Sequence, residues 1–269
     1  MKEFLFSPRN IYYRTNIFQS DRQTLVFVHG LSGSSSAWLP YEKVFKSTFN
    51  VLTFDLRGHG KSGKPPLYEE YKIENFADDL YELTEYLQIK KCTLVGHSLG
   101  SFVVLAFLQK HQEKVSKVIF FAPHFSVREM WSAKVILPFL WFGILLFKKL
   151  PFSEHAGRHI DYSRYQNTGD WSISRMAEDI GNTSMRVYLY ATRQSYNFDG
   201  KNILERISIP TLIIHGRRDT IIPLRYGALM AQKIPGAKLV ILEKVNHFPV
   251  LNDSKGMIEA IQDFIDKTS

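Results

Sequence analysis

Several short stretches of this chain are apolar at nearly every position: Leu25 to Val28, Thr93 to Val95, Val118 to Phe121, Thr211 to Ile214 and Leu239 to Leu242. A strand with one solvated face alternates polar and apolar residues, so stretches of this kind belong to strands covered on both faces. Between them lie helical patterns. Ile73, Phe76, Ala77, Leu80, Leu83 and Leu87 recur at spacings of three and four, as do Met257, Ile258, Ile261, Phe264 and Ile265 near the end of the chain. Such patterns put one apolar stripe on each helix. Buried strands alternating with amphipathic helices predict the α/β class, a mostly parallel central sheet flanked by helices on both sides. Glu3 to Phe6 and Ile11 to Thr15 are expected to add two antiparallel edge strands.

The alternation breaks between His124 and Gly200, where aromatic residues crowd in and no strand-like stretch of the same density appears. Ile173, Met176, Ala177 and Ile180 have helical spacing, and so do Met185, Tyr188, Leu189 and Thr192. The 269 residues are therefore read as one core, residues 1–123 and 200–269, with a helical cap inserted at 124–199. The most apolar part of the insertion, Val135 to Phe147, is too short to cross a bilayer. It is expected to be a buried helix or cap element; the alternative is a peripheral lipid contact, with Lys134, Lys148 and Lys149 flanking the apolar segment.

Composition excludes other classes. At 45% hydrophobic and 22% charged residues the chain is no disordered or solvated polymer. Cys92 stands alone, so neither an intramolecular disulfide nor a zinc site of paired cysteines is available. The net charge of +8 is scattered in groups as short as Lys90-Lys91, Lys148-Lys149 and Arg217-Arg218, which is not the footprint of a nucleic-acid partner. Met1-Lys2-Glu3 opens the chain with no long apolar stretch before Pro8, so no secretory signal and a cytoplasmic location are expected.

The sharpest chemical signal is Gly96-His97-Ser98-Leu99-Gly100. It follows a strand and opens a helical segment, the setting in which G-x-S-x-G holds a serine on a strained turn with little room for side chains on either side. A serine hydroxyl needs a base, and the base an orienting acid. Asp219 follows the strand at Thr211 to Ile214, and His247 follows the strand at Leu239 to Leu242, giving the order Ser, Asp, His. Negative charge on a tetrahedral intermediate requires donors. The backbone N–H of Leu31, after His29-Gly30, and that of Leu99, directly after the serine, are the candidates.

Together His29-Gly30, the loop Asp55 to Ser62, the elbow around Ser98, Asp219 and His247 resemble the α/β-hydrolase family over nearly the whole chain outside the insertion. The resemblance implies an α/β-hydrolase fold with a cap, a chiefly structural role for the Asp55 to Ser62 loop, and a serine esterase or small lipase of the monoacylglycerol lipase kind. The expected reaction is hydrolysis of a carboxylic ester with a medium or long acyl chain, and no cofactor or metal is called for. The expectation of a lipid-like substrate rests on the cap residues Trp131, Leu137, Phe139, Leu140, Trp141, Phe142, Ile144, Leu145, Leu146 and Phe147. The alternatives are a thioesterase or a carbon–carbon bond hydrolase, which an arginine such as Arg128, Arg158 or Arg175 aimed at Ser98 would favour, and a ligand-binding receptor with little turnover. Three other patterns carry no function. Gly58 to Gly63 satisfies G-x-G-x-x-G, but Pro65-Pro66 stands where a helix should open. The P-loop fragment at Gly60-Lys61-Ser62 lacks its first glycine, and His155 and His159 are read as solvent-facing rather than as metal ligands.

Overall fold

The computed structural model describes residues 1–129 and 131–268, with side chains described outside 129–134. Eight strands form one sheet: β1 (Lys2–Phe6), β2 (Ile11–Thr15), β3 (Thr24–Val28), β4 (Asn50–Phe54), β5 (Cys92–His97), β6 (Val115–Phe121), β7 (Thr211–Gly216) and β8 (Lys238–Leu242), in the spatial order β1-β2-β4-β3-β5-β6-β7-β8. The β1–β2 and β2–β4 pairs are antiparallel and all the others parallel.

Successive residues of each strand turn alternately to the two faces of the sheet. Val26, Val28, Leu94, Val118, Phe120 and Ile213 face one core, with side chains from α2 (Ile73–Tyr86) and α3 (Leu99–His111). Leu25, Phe27, Val95, Ile119, Phe121 and Ile214 face the other, with Tyr41 and Phe45 of α1 (Leu39–Phe45) and with Met257, Ile261 and Phe264 of the C-terminal helix. Both faces are covered, which is why these strands carry no polar alternation.

The edges differ from the sequence reading. β2 is enclosed between β1 and β4 and is buried throughout, so β1 alone forms that edge. At the far edge β8 is exposed at Lys238 and half-buried from Leu239 to Leu242, not covered on both faces. Edge position depends on strand order, which apolar content does not encode.

The segment between β6 and β7 holds α4 (Trp131–Phe147), α5 (Ile173–Thr183) and α6 (Met185–Ser195), followed by the short α7 (Lys201–Leu204). Ser184, at φ +80°, breaks the chain between α5 and α6. Leu140 and Ile144 of α4 are buried, and Gly143 allows a close approach to Leu189 of α6. Much of the described remainder of α4 departs from the first form of the expectation, a buried helix or cap element: Phe139 is 72% and Phe142 69% exposed, Val135, Trp141, Leu145 and Leu146 are exposed as well, and Leu137 and Phe147 are half-buried. Side chains of Trp131 and Lys134 lie outside the described residues. The chain closes with α8 (Leu224–Lys233), α9 (Pro249–Asn252) and α10 (Ser254–Lys267). Among the described residues no helix is long and apolar enough to cross a membrane.

Candidate active site

Parallel strands bring the loops after β3, β5, β7 and β8 to one side of the sheet, the crevice where open α/β sheets bind ligands. Ser98 stands between β5 and α3 with φ +52° and ψ −116°, a strained conformation for a residue with a side chain. Two glycines make that turn feasible. A methyl at Gly96 would lie 2.8 Å from the Gly100 carbonyl oxygen, and one at Gly100 would meet the Val28 carbonyl oxygen and lie 2.8 Å from that of His29. The Ser98 amide donates to the Phe121 carbonyl (3.0 Å). From Cys92 to Leu108, Ser98 is the one residue that is not buried.

His247 brings the predicted residues together. Its Nε2 lies 2.9 Å from Ser98 Oγ and its Nδ1 2.7 Å from Asp219 Oδ2. The carboxylate at Nδ1 requires a hydrogen there, which leaves Nε2 free to accept from the serine. Asp219 is buried and also accepts from the amides of Ile221 (2.9 Å) and Ile222 (2.7 Å). Burial by itself would raise its pKa; the charge of His247 and the hydrogen bonds from His215, His247 and the Ile222 amide outweigh burial and hold it below the usual carboxylate range. Asp219 therefore stays ionised, able to stabilise an imidazolium.

His215 is a second imidazole on that carboxylate, with Nε2 at 3.2 Å from Asp219 Oδ2 and 2.8 Å from the Ile222 carbonyl oxygen. His97 donates from Nε2 to the His247 carbonyl (2.9 Å), and burial pushes its pKa down to about 3, so it holds this contact as a neutral ring. Asp170 has no counterpart in the sequence reading. This buried residue of the inserted segment accepts from the His247 amide (2.8 Å) through one oxygen and from the amide (2.8 Å) and hydroxyl (2.7 Å) of Thr220 through the other. It ties the insertion to both the histidine and the aspartate loops. Its neighbours Gly169 and Trp171 are exposed, and no periodicity or motif marks it.

Leu31 follows β3 in a turn closed by the Gly33 amide on the Gly30 carbonyl (3.2 Å), and it lines the cavity beside Ser98. Leu99 is the first residue of α3, where amides have no acceptor within the helix. His29 fastens the Leu31 turn from below. Its Nδ1 donates to the Gly30 carbonyl (2.8 Å), and its Nε2 accepts from the Leu56 amide (3.0 Å), an arrangement only the neutral ring can make.

Asp55 follows β4 and gathers three donors. Its oxygens accept from the amides of Ser35 (2.6 Å) and Lys61 (2.7 Å) and from His159 Nε2 (2.9 Å). Burial would raise its pKa, but the bond and charge of His159 dominate with help from His29 and Ser35, and the carboxyl is pulled down to about 2. His159 is thus a link between the insertion and the core, not the solvent-facing residue expected; His155 is exposed. Among the described residues no group of side chains is arranged to hold a metal ion.

A cavity of about 180 Å³ adjoins Ser98 and His247, lined on its apolar side by Leu31, Met176, Ile180, Tyr188, Ile221 and Phe248. The exposed α4 residues are not in its wall. Of the three arginines considered, Arg175 lines this cavity. Arg128 binds the carbonyls of Tyr196 and Asn197, and Arg158 pairs with Glu178.

Residues 23–254 match the model of the alpha/beta hydrolase fold family, and the chain belongs to that family. An uncharacterized protein of Mycobacterium tuberculosis is 26% identical over 91% of this chain and 75% of its own length. A putative carbamate hydrolase, RutD, of Stutzerimonas stutzeri is 27% identical over 92% of this chain and 93% of its own. Among solved structures, Est816, described as an N-acyl homoserine lactone degrading enzyme, superposes with a TM-score of 0.77 at 22% identity, covering 98% of this chain and all of the other.

Proposed function

We propose that this chain is a serine hydrolase that cleaves carboxylic esters of medium or long acyl chain length through an acyl-enzyme. The observation that carries the reading is the continuous hydrogen-bonded series Ser98, His247, Asp219 at the mouth of a partly apolar cavity. Ser98 Oγ attacks the ester carbonyl carbon as its proton passes to His247 Nε2, and Asp219 stabilises the imidazolium. The oxyanion takes hydrogen bonds from the amides of Leu31 and Leu99. Collapse of the intermediate breaks the bond to the alcohol oxygen, which leaves with the proton from Nε2. A water molecule then attacks the acyl carbon, giving its proton to Nε2, and the acid departs as the proton returns to Ser98 Oγ.

The names of the relatives, a protein named as a putative carbamate hydrolase and a lactone-degrading enzyme, favour acyl chemistry over a receptor role. The acyl chain lies against Leu31, Met176, Ile180 and Tyr188. The exposed apolar side of α4, with Lys148 and Lys149 beside it, meets anionic lipid.

The test is a p-nitrophenyl ester series from acetate to dodecanoate, run beside fluorophosphonate labelling. Ser98→Ala is expected to lose at least about a thousandfold in kcat/KM and all labelling. A folded native protein that neither hydrolyses an ester nor labels overturns the reading. Activity that peaks at acetate and vanishes by octanoate removes the chain-length part alone.

A further inference from the structure

The wall of the Ser98 cavity carries an ion pair that the triad does not use. Arg175 and Asp179 are one turn apart on α5, and they and Thr183, rather than Ile173, Met176 or Ile180, are its most buried residues. Ile173 is 82% exposed. A helix that turns its charged residues inward and an isoleucine outward forgoes apolar burial. The arrangement leaves two charged side chains in the wall of the cavity.

Arg175 is held on most sides. Its Nη1 donates to Asp179 Oδ2 (3.2 Å), its Nη2 donates to the Asp170 carbonyl (2.9 Å), and its guanidinium carbon sits over the Phe248 ring, 3.7 Å from the centroid. Its Nε is buried with no hydrogen-bond partner. Asp179 takes a bond from the Tyr162 hydroxyl (2.8 Å) on Oδ1 and keeps lone pairs to spare. Both residues line the cavity that contains Ser98 and His247. Nη1 and Nη2 of Arg175 each make one of these bonds and keep a second hydrogen, next to a carboxylate with acceptor capacity. Buried donors of this kind are satisfied by a ligand or by water.

We propose that the Arg175–Asp179 pair is a recognition site for an uncharged group that both accepts and donates hydrogen bonds, a hydroxyl or a secondary or primary amide, carried on the ester substrate. The proposal rests on the ester-hydrolase reading above and names the substrate class within it. The acceptor atom of the group takes a free Nη hydrogen of Arg175, and its donor reaches Asp179. A carboxylate in the same place gains little, because Asp179 already matches the arginine charge and would face a second anion in a site of low dielectric. The pair therefore selects against acidic esters. A lone arginine in this cavity would do the reverse.

Three p-nitrophenyl esters decide the matter, alike in acyl length and ending in a primary amide, a methyl or a carboxylate, prepared over a range of spacer lengths. At its best spacer the native protein is expected to favour the amide over the methyl ester by about ten- to a hundredfold in kcat/KM, the range of one hydrogen bond to a charged donor. The carboxylate ester is expected to be the poorest of the three. In Asp179→Asn the arginine charge is uncovered, and the carboxylate-to-amide ratio should rise at least about tenfold. A loss of packing alone would lower all three rates together and leave that ratio unmoved. The proposal is overturned if the native protein treats amide and methyl esters alike at every spacer, or prefers the carboxylate. The native comparison decides even if the variant fails to fold. Failure of the hydrolase reading looks different: no ester in the set is cleaved and no fluorophosphonate is bound.

Discussion

Asp170→Ala tests whether the inserted segment sets the position of His247. The carboxylate serves three donors at 2.7 to 2.8 Å, the buried amide of His247 and the amide and hydroxyl of the more exposed Thr220. A hydrogen bond to a charged acceptor contributes roughly 1.5–3 kcal/mol. The hydroxyl can rotate, and water can enter the space left by the carboxylate, so the net loss is about 2–4 kcal/mol. Unfolding entropy near 2.1 cal/mol/K per residue gives roughly 0.56 kcal/mol/K for a chain of this size, so Tm should fall by about 4–7 °C. The catalytic effect is separate. With its amide anchor gone, His247 drifts from Ser98, and displacements on the order of 1 Å in such a site cost about a hundredfold. The expected kcat/KM on a p-nitrophenyl ester is therefore down by about ten- to a hundredfold, carried by kcat. Thr220→Val, which removes the hydroxyl alone, should lower Tm by about 2 °C and leave kcat near native. Differential scanning calorimetry and steady-state kinetics well below Tm read both quantities. If Asp170→Ala melts within about 1 °C of the native protein, the three bonds are not stabilising as argued. If it melts early but keeps native kcat, Asp170 does not position His247.

The depressed pKa of Asp55 gives stability a defined acid limb. A carboxyl held at about 2 in the folded chain, against an ordinary value near 3.8, stabilises the fold above about pH 4 by roughly 2 kcal/mol, and this is lost as the pH falls from 4 towards 2. Because His159 is the largest influence holding that value down, His159→Gln should move the acid loss of Tm to higher pH; an unmoved acid limb refutes the assignment. For α4, replacing Phe142 and Leu145 together by glutamate should abolish co-sedimentation with phosphatidylglycerol vesicles while leaving hydrolysis of a soluble ester intact. Native protein that ignores such vesicles, or buries this face in a dimer by light scattering, ends the lipid proposal.

The positions of Ser98, Asp219 and His247 were legible because each sits at the end of a strongly apolar strand, and a parallel sheet delivers such ends to one crevice. The elbow was legible for a local reason. Gly96 and Gly100 are demanded by atoms only a few residues or one strand away, so their presence reports the turn directly. Asp170 was not legible, since its partners lie in the loops after β7 and β8 and nothing near it in the chain hints at a buried carboxylate. His159 was misread on the same ground: its partner, Asp55, is 104 residues distant.

Sequence by itself determined the α/β class, the two covered faces of the central strands, the helices between β6 and β7 and the chain order of Ser98, Asp219 and His247. These follow from residue periodicity and backbone sterics, which act over a few positions. Tertiary structure alone decided which strands became edges, which side of α5 turned inward and which apolar residues stayed in solvent. Helical spacing in α5 identified an apolar set, yet Arg175 and Asp179 took the buried side, because Phe248, Asp170 and Tyr162 supply partners there that no local pattern contains. The apolar wealth of α4, assigned by composition to the substrate, mostly faces outward because Leu140, Gly143 and Ile144 suffice to pack it on its neighbours. Packing against distant segments chooses among faces that propensity leaves equivalent, and here that choice set the chemistry of the cavity wall.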